Sequence, residues 1–182
     1  MNTVLYEITY RLDREILIPP VIFLVVLFLI IREAGKIRQE KTARGHIVNL
    51  AVFSFGILIS LTASILVITS QIDMYKNIIV PYEKGEYSTV AGYVEDFIPM
   101  PAEGHRHETF QINGIEFDYS DNTALQGYNN TRVYGGVISG NGQHLKIRYI
   151  YYEPWDCNVI VYIEELSQPS AFYPQFRSPA LS

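Results

Sequence analysis

His105, His107 and Glu108 crowd into one short stretch with Glu103 just upstream, and they form the strongest ligand-type cluster in the chain. His-x-His on a loop is a recurring zinc arrangement, but a structural site needs four protein ligands and a catalytic one three. No second spaced pair of ligands completes the set. The plainer account is a polar turn whose imidazoles hydrogen-bond to nearby backbone. His105, His107 and Glu108 therefore stand as weak metal candidates, and no metal or other cofactor is expected.

Other patterns fall short sooner. Asp118, Ser120 and Asn122 occupy positions 1, 3 and 5 of a calcium-type loop, but Thr123 stands where the sixth position requires Gly and Asn129 where the twelfth requires Glu. An Asx-rich turn explains them better. Gly135-Gly136 and Gly140-Asn141-Gly142 have no following Gly-Lys-Ser/Thr and no strand-to-helix setting, so they read as turn glycines rather than a phosphate loop. Cys157 and His144 would make a nucleophile and base only if the fold joined them, and no electropositive setting surrounds the thiol. No Gly-x-Ser-x-Gly elbow occurs. Tyr149, Tyr151 and Tyr152 offer a stacking surface, although strand alternation already assigns two of them to a core. Asn129-Asn130-Thr131 is a glycosylation sequon with meaning only in a eukaryotic secretory pathway. No catalytic residue is assigned.

The elements that position these residues divide sharply. Ile16 to Ile31 and Ile47 to Ile68 are uncharged apolar runs separated by a short basic loop. About 20 apolar residues span a bilayer as a helix, because only a helix satisfies its own backbone there. The reading is a transmembrane helical hairpin with helices at about 14–32 and 47–69, inside an anchor covering residues 1–70. Glu7, Asp13 and Glu15 precede the first run and no small-residue cleavage site follows it, so a signal peptide is not expected. Leu5, Ile8, Leu12 and Ile16 are at helical spacing, which reads as an amphipathic interfacial helix, with a frayed terminus as the alternative.

Pro19-Pro20 imply a kink or a fresh start in the first span. Gly56, Ser60 and Ser64 recur every four residues on one face of the second, a small-xxx-small groove. It is expected to receive Phe23, Leu24, Leu27 and Phe28 of the first span, or else a helix of another protein. No ionisable residue lies in either run, which argues against a transporter or pump. Arg32, Lys36, Arg38, Lys41 and Arg44 mark the connecting loop as cytoplasmic, leaving both termini outside.

Residues 71–182 hold 7 Lys and Arg against 14 Asp and Glu, a net charge of −7. So acidic a region is a poor nucleic-acid partner. A single cysteine excludes an internal disulfide. After a linker at 71–85, where Val80-Pro81 should end any helix, the period becomes alternating. Strands are expected at Tyr87–Phe97, either side of Asn113-Gly114, at His144–Tyr152 and at Val159–Glu164. Asn-Gly suits a two-residue type I′ hairpin that pairs Ile112 with Ile115 and Phe110 with Phe117. Leu145, Ile147, Tyr149 and Tyr151 are expected inward. Five such strands form a β domain over 86–166, a small antiparallel OB-like or SH3-like barrel. Ser120 to Gln143 reads as a long functional or mobile loop, and 167–182 as an extended tail.

The elements VAGYVEDF, PAEGHRHETFQINGIEFDYSD, GYNNT and LKIRYIYY resemble a β domain found in small, uncharacterised bacterial proteins, often membrane-anchored. The EGH…F…NG…F-x-YSD pattern is its most specific part. The resemblance implies a bacterial origin and the β fold, and no catalytic residue. Composition and resemblance together lead to an α-helical transmembrane hairpin plus an all-β domain, in a bacterial inner-membrane protein. Its periplasmic β-barrel domain is expected to bind another membrane or periplasmic protein, in an accessory or immunity-like role. Alternatives are a metal or enzymatic site on the barrel loops, and a structural subunit of a membrane complex.

Overall fold

The computed structural model describes residues 2–10, 17–37, 44–101, 104 and 106–167. The chain forms two compact units, one helical (Thr9–Lys84) and one of antiparallel β-structure, which takes residues 2–8 as well as 85–167.

In the helical unit, α1 (Ile18–Ile37) and α2 (Arg44–Met74) are both long and apolar enough to cross a membrane. Pro19 and Pro20 lie in the first turn of α1, where their missing N–H groups would have no intrahelical partner. Large side chains such as Phe28 and Phe55 are left about two-thirds exposed, at 64% and 66%. That is the wrong distribution for the core helices of a water-soluble protein and the right one for helices covered by lipid. Within α2 the hydroxyls of Ser54, Thr62 and Thr69 each donate to a carbonyl one turn back, so no polar group faces outward unpaired on their account.

The helix does not stop at Val80-Pro81. It continues through a π-helical turn (Tyr75–Ile79) into α3 (Val80–Lys84), with Pro81 as the second residue. The Val80 N–H reaches back to the carbonyl of Tyr75, and this wider turn shifts the carbonyl that the proline ring would otherwise strike.

Among the described residues the β unit has seven strands, β1 (Thr3–Glu7), β2 (Ser88–Tyr93), β3 (Glu95–Ile98), β4 (Glu108–Ile112), β5 (Ile115–Tyr119), β6 (His144–Tyr152) and β7 (Cys157–Glu165). One sheet runs β1-β7-β6-β2 and the other β3-β4-β5, all antiparallel, and neither closes into a barrel. β1 (Thr3–Glu7) is a correction to the interfacial helix expected there: it pairs with β7 (Cys157–Glu165), and Ile8 N–H extends the ladder to Val161 O at 2.9 Å. The Thr-Val-Leu-Tyr run is β-branched and aromatic, and an open sheet edge outweighs a weak helical spacing. Leu12 and Ile16, the rest of that spacing, lie outside the described residues. The helical hairpin is thus an insertion between β1 and β2 (Ser88–Tyr93), and its two ends belong to one β unit.

The single strand expected over Tyr87–Phe97 is two. The chain passes from β2 in one sheet to β3 (Glu95–Ile98) in the other at Val94, which is buried and bonds Gln143 O and Gly142 N–H. β4 (Glu108–Ile112) and β5 (Ile115–Tyr119) turn at Asn113 (φ 50°) and Gly114 (φ 77°), both left-handed as a type I′ turn requires. Phe110 faces Phe117 and Ile112 faces Ile115 in the register the turn dictates. Asn113 Nδ2 donates to Ala91 O at 2.9 Å and Asn158 Nδ2 to Glu116 O at 2.9 Å, so each sheet is tied to the other. One core lies between them, built from Phe110, Ile112, Phe117, Leu145, Ile147 and Ile163 among others.

β6 (His144–Tyr152) keeps the expected alternation only at first. Leu145 and Ile147 are buried, but Tyr151 is 57% exposed while Ile150 and Tyr152 are buried. The register with β7 shifts at this point, with Val161 the extra residue opposite Arg148/Tyr149, and beyond it the other face of β6 is the buried one.

Residues 120–143 are not a loose loop. Leu125, Tyr128, Thr131 and Ile138 are buried, and Tyr128 N–H pairs with Ile160 O at 2.9 Å. Gly136 is obligatory, because a Cβ there would lie 2.2 Å from Asn130 O. The Gly and Asn content serves close packing rather than mobility. Of the tail expected at 167–182, only Ser167 is described, bonding Asn2 through its amide and hydroxyl at 3.4 and 3.2 Å.

Candidate functional site

Glu108 was grouped with the histidines as a weak ligand, and the structure gives it another task. It shares the inward face of β4 with Phe110 and Ile112 and is fully buried. Its carboxylate accepts the Tyr119 hydroxyl, the Arg132 N–H on both oxygens (3.2 and 3.1 Å) and, at longer range, the Met100 N–H (3.4 Å). Every one of these neighbours donates, and the two Glu108 oxygens accept them all. Burial, then the bond to Glu108, drives the Tyr119 phenol far above its ordinary value. Tyr128 is pushed up to about 12, first by burial, against the Val137 and Ile138 amides that favour its ionised form. Glu108 therefore joins β4, β5, the 132 turn and the segment before β4.

His107 points the other way. Its imidazole pairs with the exposed Asp118 across the hairpin. Flanking strand positions thus carry opposite duties, Glu108–Tyr119 inside and His107–Asp118 outside. His105 and Glu103 lie outside the described residues. Among the described residues no three His, Cys, Asp or Glu side chains are arranged to hold a metal. Of the calcium-type series, Ser120 is buried and its hydroxyl accepts the Asn122 N–H at 3.3 Å, a local turn.

The Asp118 side of the hairpin opens on a cleft of about 430 Å³ between β5, β7 and the turn joining β6 to β7. That turn is a 3₁₀ segment (Glu153–Trp155) followed by Asp156 in the left-handed region at φ 49°. It presents Trp155, 55% exposed, beside Tyr151, whose hydroxyl donates to Asp156 Oδ1 at 2.6 Å. Glu116, Asp118 and Asp156 line the space, and His107 is the only basic side chain among its lining residues. Cys157 lies here too. Burial, then Asp118 and Asp156, pushes its thiol up, which opposes thiolate chemistry. His144, the base considered for it, stacks on Tyr93 at 4.5 Å and is absent from this lining.

Sequence reasoning passed over this cleft. Its walls are a turn, two strands of different sheets and the start of the 120–143 segment, and no spacing in the sequence joins Asp118 to Asp156. The signal that was present is Pro154-Trp-Asp-Cys-Asn158, a turn spending the chain's sole tryptophan.

In the helical unit, Gly56, Ser60 and Ser64 face α1. Ser60 Oγ donates to Pro19 O at 2.8 Å, Ser64 Oγ to Ser60 O at 2.7 Å, and a Cβ on Gly56 would touch Val26 at 3.7 Å. Leu24 and Phe28, expected in this groove, are instead 61% and 64% exposed. Of the topology residues, Arg32 and Lys36 pair with the buried Glu33 at 3.7 and 2.7 Å and Arg44 opens α2, while Arg38 and Lys41 lie outside the described residues.

The fold and the cleft together define a class: a helical pair able to cross a membrane, inserted in an antiparallel β unit with one acidic, aromatic-rimmed concavity. Comparison with family models, with curated proteins and with solved structures finds no match.

Proposed function

We propose that this chain is a bacterial inner-membrane protein that displays its β unit in the periplasm to bind another protein, in an accessory or immunity-like role. The observation that carries the proposal is the insertion of the apolar hairpin between β1 and β2. Both ends of the hairpin emerge in one β unit, so both must lie on the same side of a membrane it crosses. The basic residues from Arg32 to Arg44 support placing the loop between the helices in the cytoplasm. The small β-domain family that the sequence resembles fits this reading. So does an OB-like or SH3-like relationship, supported by two sheets sharing one core and a strand passing between them at Val94.

Binding is favoured over covalent catalysis by the protonated state imposed on Cys157. It is favoured over a purely structural membrane role by the occupancy of the Gly56/Ser60/Ser64 face by α1. The test is photocrosslinking in intact cells from Tyr134, which is 65% exposed, and from Trp155. A discrete protein adduct is expected, and none from either site refutes the reading.

A further inference from the structure

We propose that the cleft beneath Trp155 is a site for a guanidinium or primary ammonium group, presented by a basic side chain of a polypeptide or by a free amine. The inference deepens the protein-binding reading by naming the chemistry that the β unit recognises.

Three independent features converge on a cation. The cleft, about 430 Å³, is of ligand-binding size rather than a packing fault. Its charged lining is one-sided: Glu116 and Asp118 of β5 and Asp156 of the turn between β6 and β7 are exposed carboxylates, with no Lys or Arg among the described lining residues. The one basic group, His107, is already engaged with Asp118. Its rim carries a half-exposed tryptophan and a tyrosine, the residues whose ring faces attract cations most strongly. The field of the cleft is felt by its own residues, since Asp118 and Asp156 both help to hold the Cys157 thiol protonated. Tyr151 braces Asp156 through its hydroxyl, which donates to one of the two carboxylate oxygens.

Trp155 is the sole tryptophan, so its emission reports on this cleft alone. The full chain in nanodiscs of neutral lipid is titrated with Nα-acetyl-arginine methylamide, with the uncharged citrulline analogue, with agmatine, and with a glycine-flanked peptide carrying one central arginine. A saturable change in Trp155 emission is expected for the arginine compound, at least tenfold tighter than for citrulline and weakening as salt is raised. Asp118→Asn/Asp156→Asn should reduce the affinity at least tenfold, and asparagine tolerates the left-handed backbone at 156.

Collisional quenching needs no variant: caesium should quench Trp155 more effectively than iodide, relative to free N-acetyltryptophanamide. A peptide at least tenfold tighter than agmatine assigns the site to polypeptides, and parity assigns it to free amines. Equal response to arginine and citrulline, or iodide quenching as effective as caesium, overturns the proposal. Crosslinks from Tyr134 that persist while Trp155 stays silent would refute the cleft and leave the binding reading standing.

Discussion

Replacing Glu108 with leucine tests whether the buried carboxylate is the strut of the β unit. The change keeps similar bulk but removes both acceptor oxygens. Tyr119 O–H and Arg132 N–H lose their partners outright, and Met100 N–H loses a longer one. A buried donor left unpaired costs about 1–3 kcal/mol. Two firm bonds and one long one, partly offset by the added apolar side chain, come to about 3–5 kcal/mol, a large part of a typical domain's stability. Tyr119→Phe removes one buried hydrogen bond and should cost about 1–3 kcal/mol. The double variant should be less destabilised than the sum of the two by about 1–2 kcal/mol, because a phenylalanine ring at position 119 has no hydroxyl left to strand. The assay is guanidinium unfolding of the full chain in micelles, followed by near-ultraviolet circular dichroism and Trp155 emission. A Glu108→Leu variant as stable as the parent, or strictly additive losses, would refute the reasoning.

Four further outcomes follow from the same geometry. Gly136→Ala should cost more than Gly114→Val, since the first drives a Cβ to 2.2 Å from Asn130 O while the second only opposes a φ of 77°, about 1–3 kcal/mol, and the reverse order of midpoints would contradict the packing of residues 120–143. Tyr128 has a raised folded value near 12, so its stabilisation is complete below pH 10 and lost from there to pH 12, about 2–3 kcal/mol. Absorbance at 295 nm should accordingly show a late, cooperative tyrosinate step, and Tyr128→Phe should flatten the alkaline decline in stability. In a Cys157→Ser background, Val26→Cys/Gly56→Cys should oxidise to a disulfide, and failure to crosslink would place another surface of α2 against α1.

The two long apolar helices and the Asn113-Gly114 hairpin were legible because each is a local signal: an uncharged run long enough to span a bilayer, and a turn whose φ values dictate register. Parity from that turn also places Glu108 on the face of Phe110 and Ile112, although its bonds to Arg132 and Met100 depend on tertiary packing. β1 escaped because five residues of strand acquire meaning only beside the open edge of β7, more than 150 residues later. The segment 120–143 escaped because glycines and asparagines that permit close packing have the composition of a flexible loop. Tyr151 was misassigned because the covered face of β6 changes along the strand, from that of Leu145 and Ile147 to that of Ile150 and Tyr152. Which face of a strand is covered is decided by the elements packed on it, not by its own alternation.

The central claim is that one apolar hairpin, inserted between β1 and β2, hangs the β unit outside the cytoplasmic membrane by both of its ends. Single cysteines at Val4, which is 54% exposed, at Ser167 and at Lys41, each in a Cys157→Ser chain, decide it when intact spheroplasts are treated with a membrane-impermeant maleimide. Labelling at positions 4 and 167, with position 41 reactive only after lysis, is the predicted result. Labelling at 41 in intact spheroplasts, or opposite accessibilities at 4 and 167, would contradict the account.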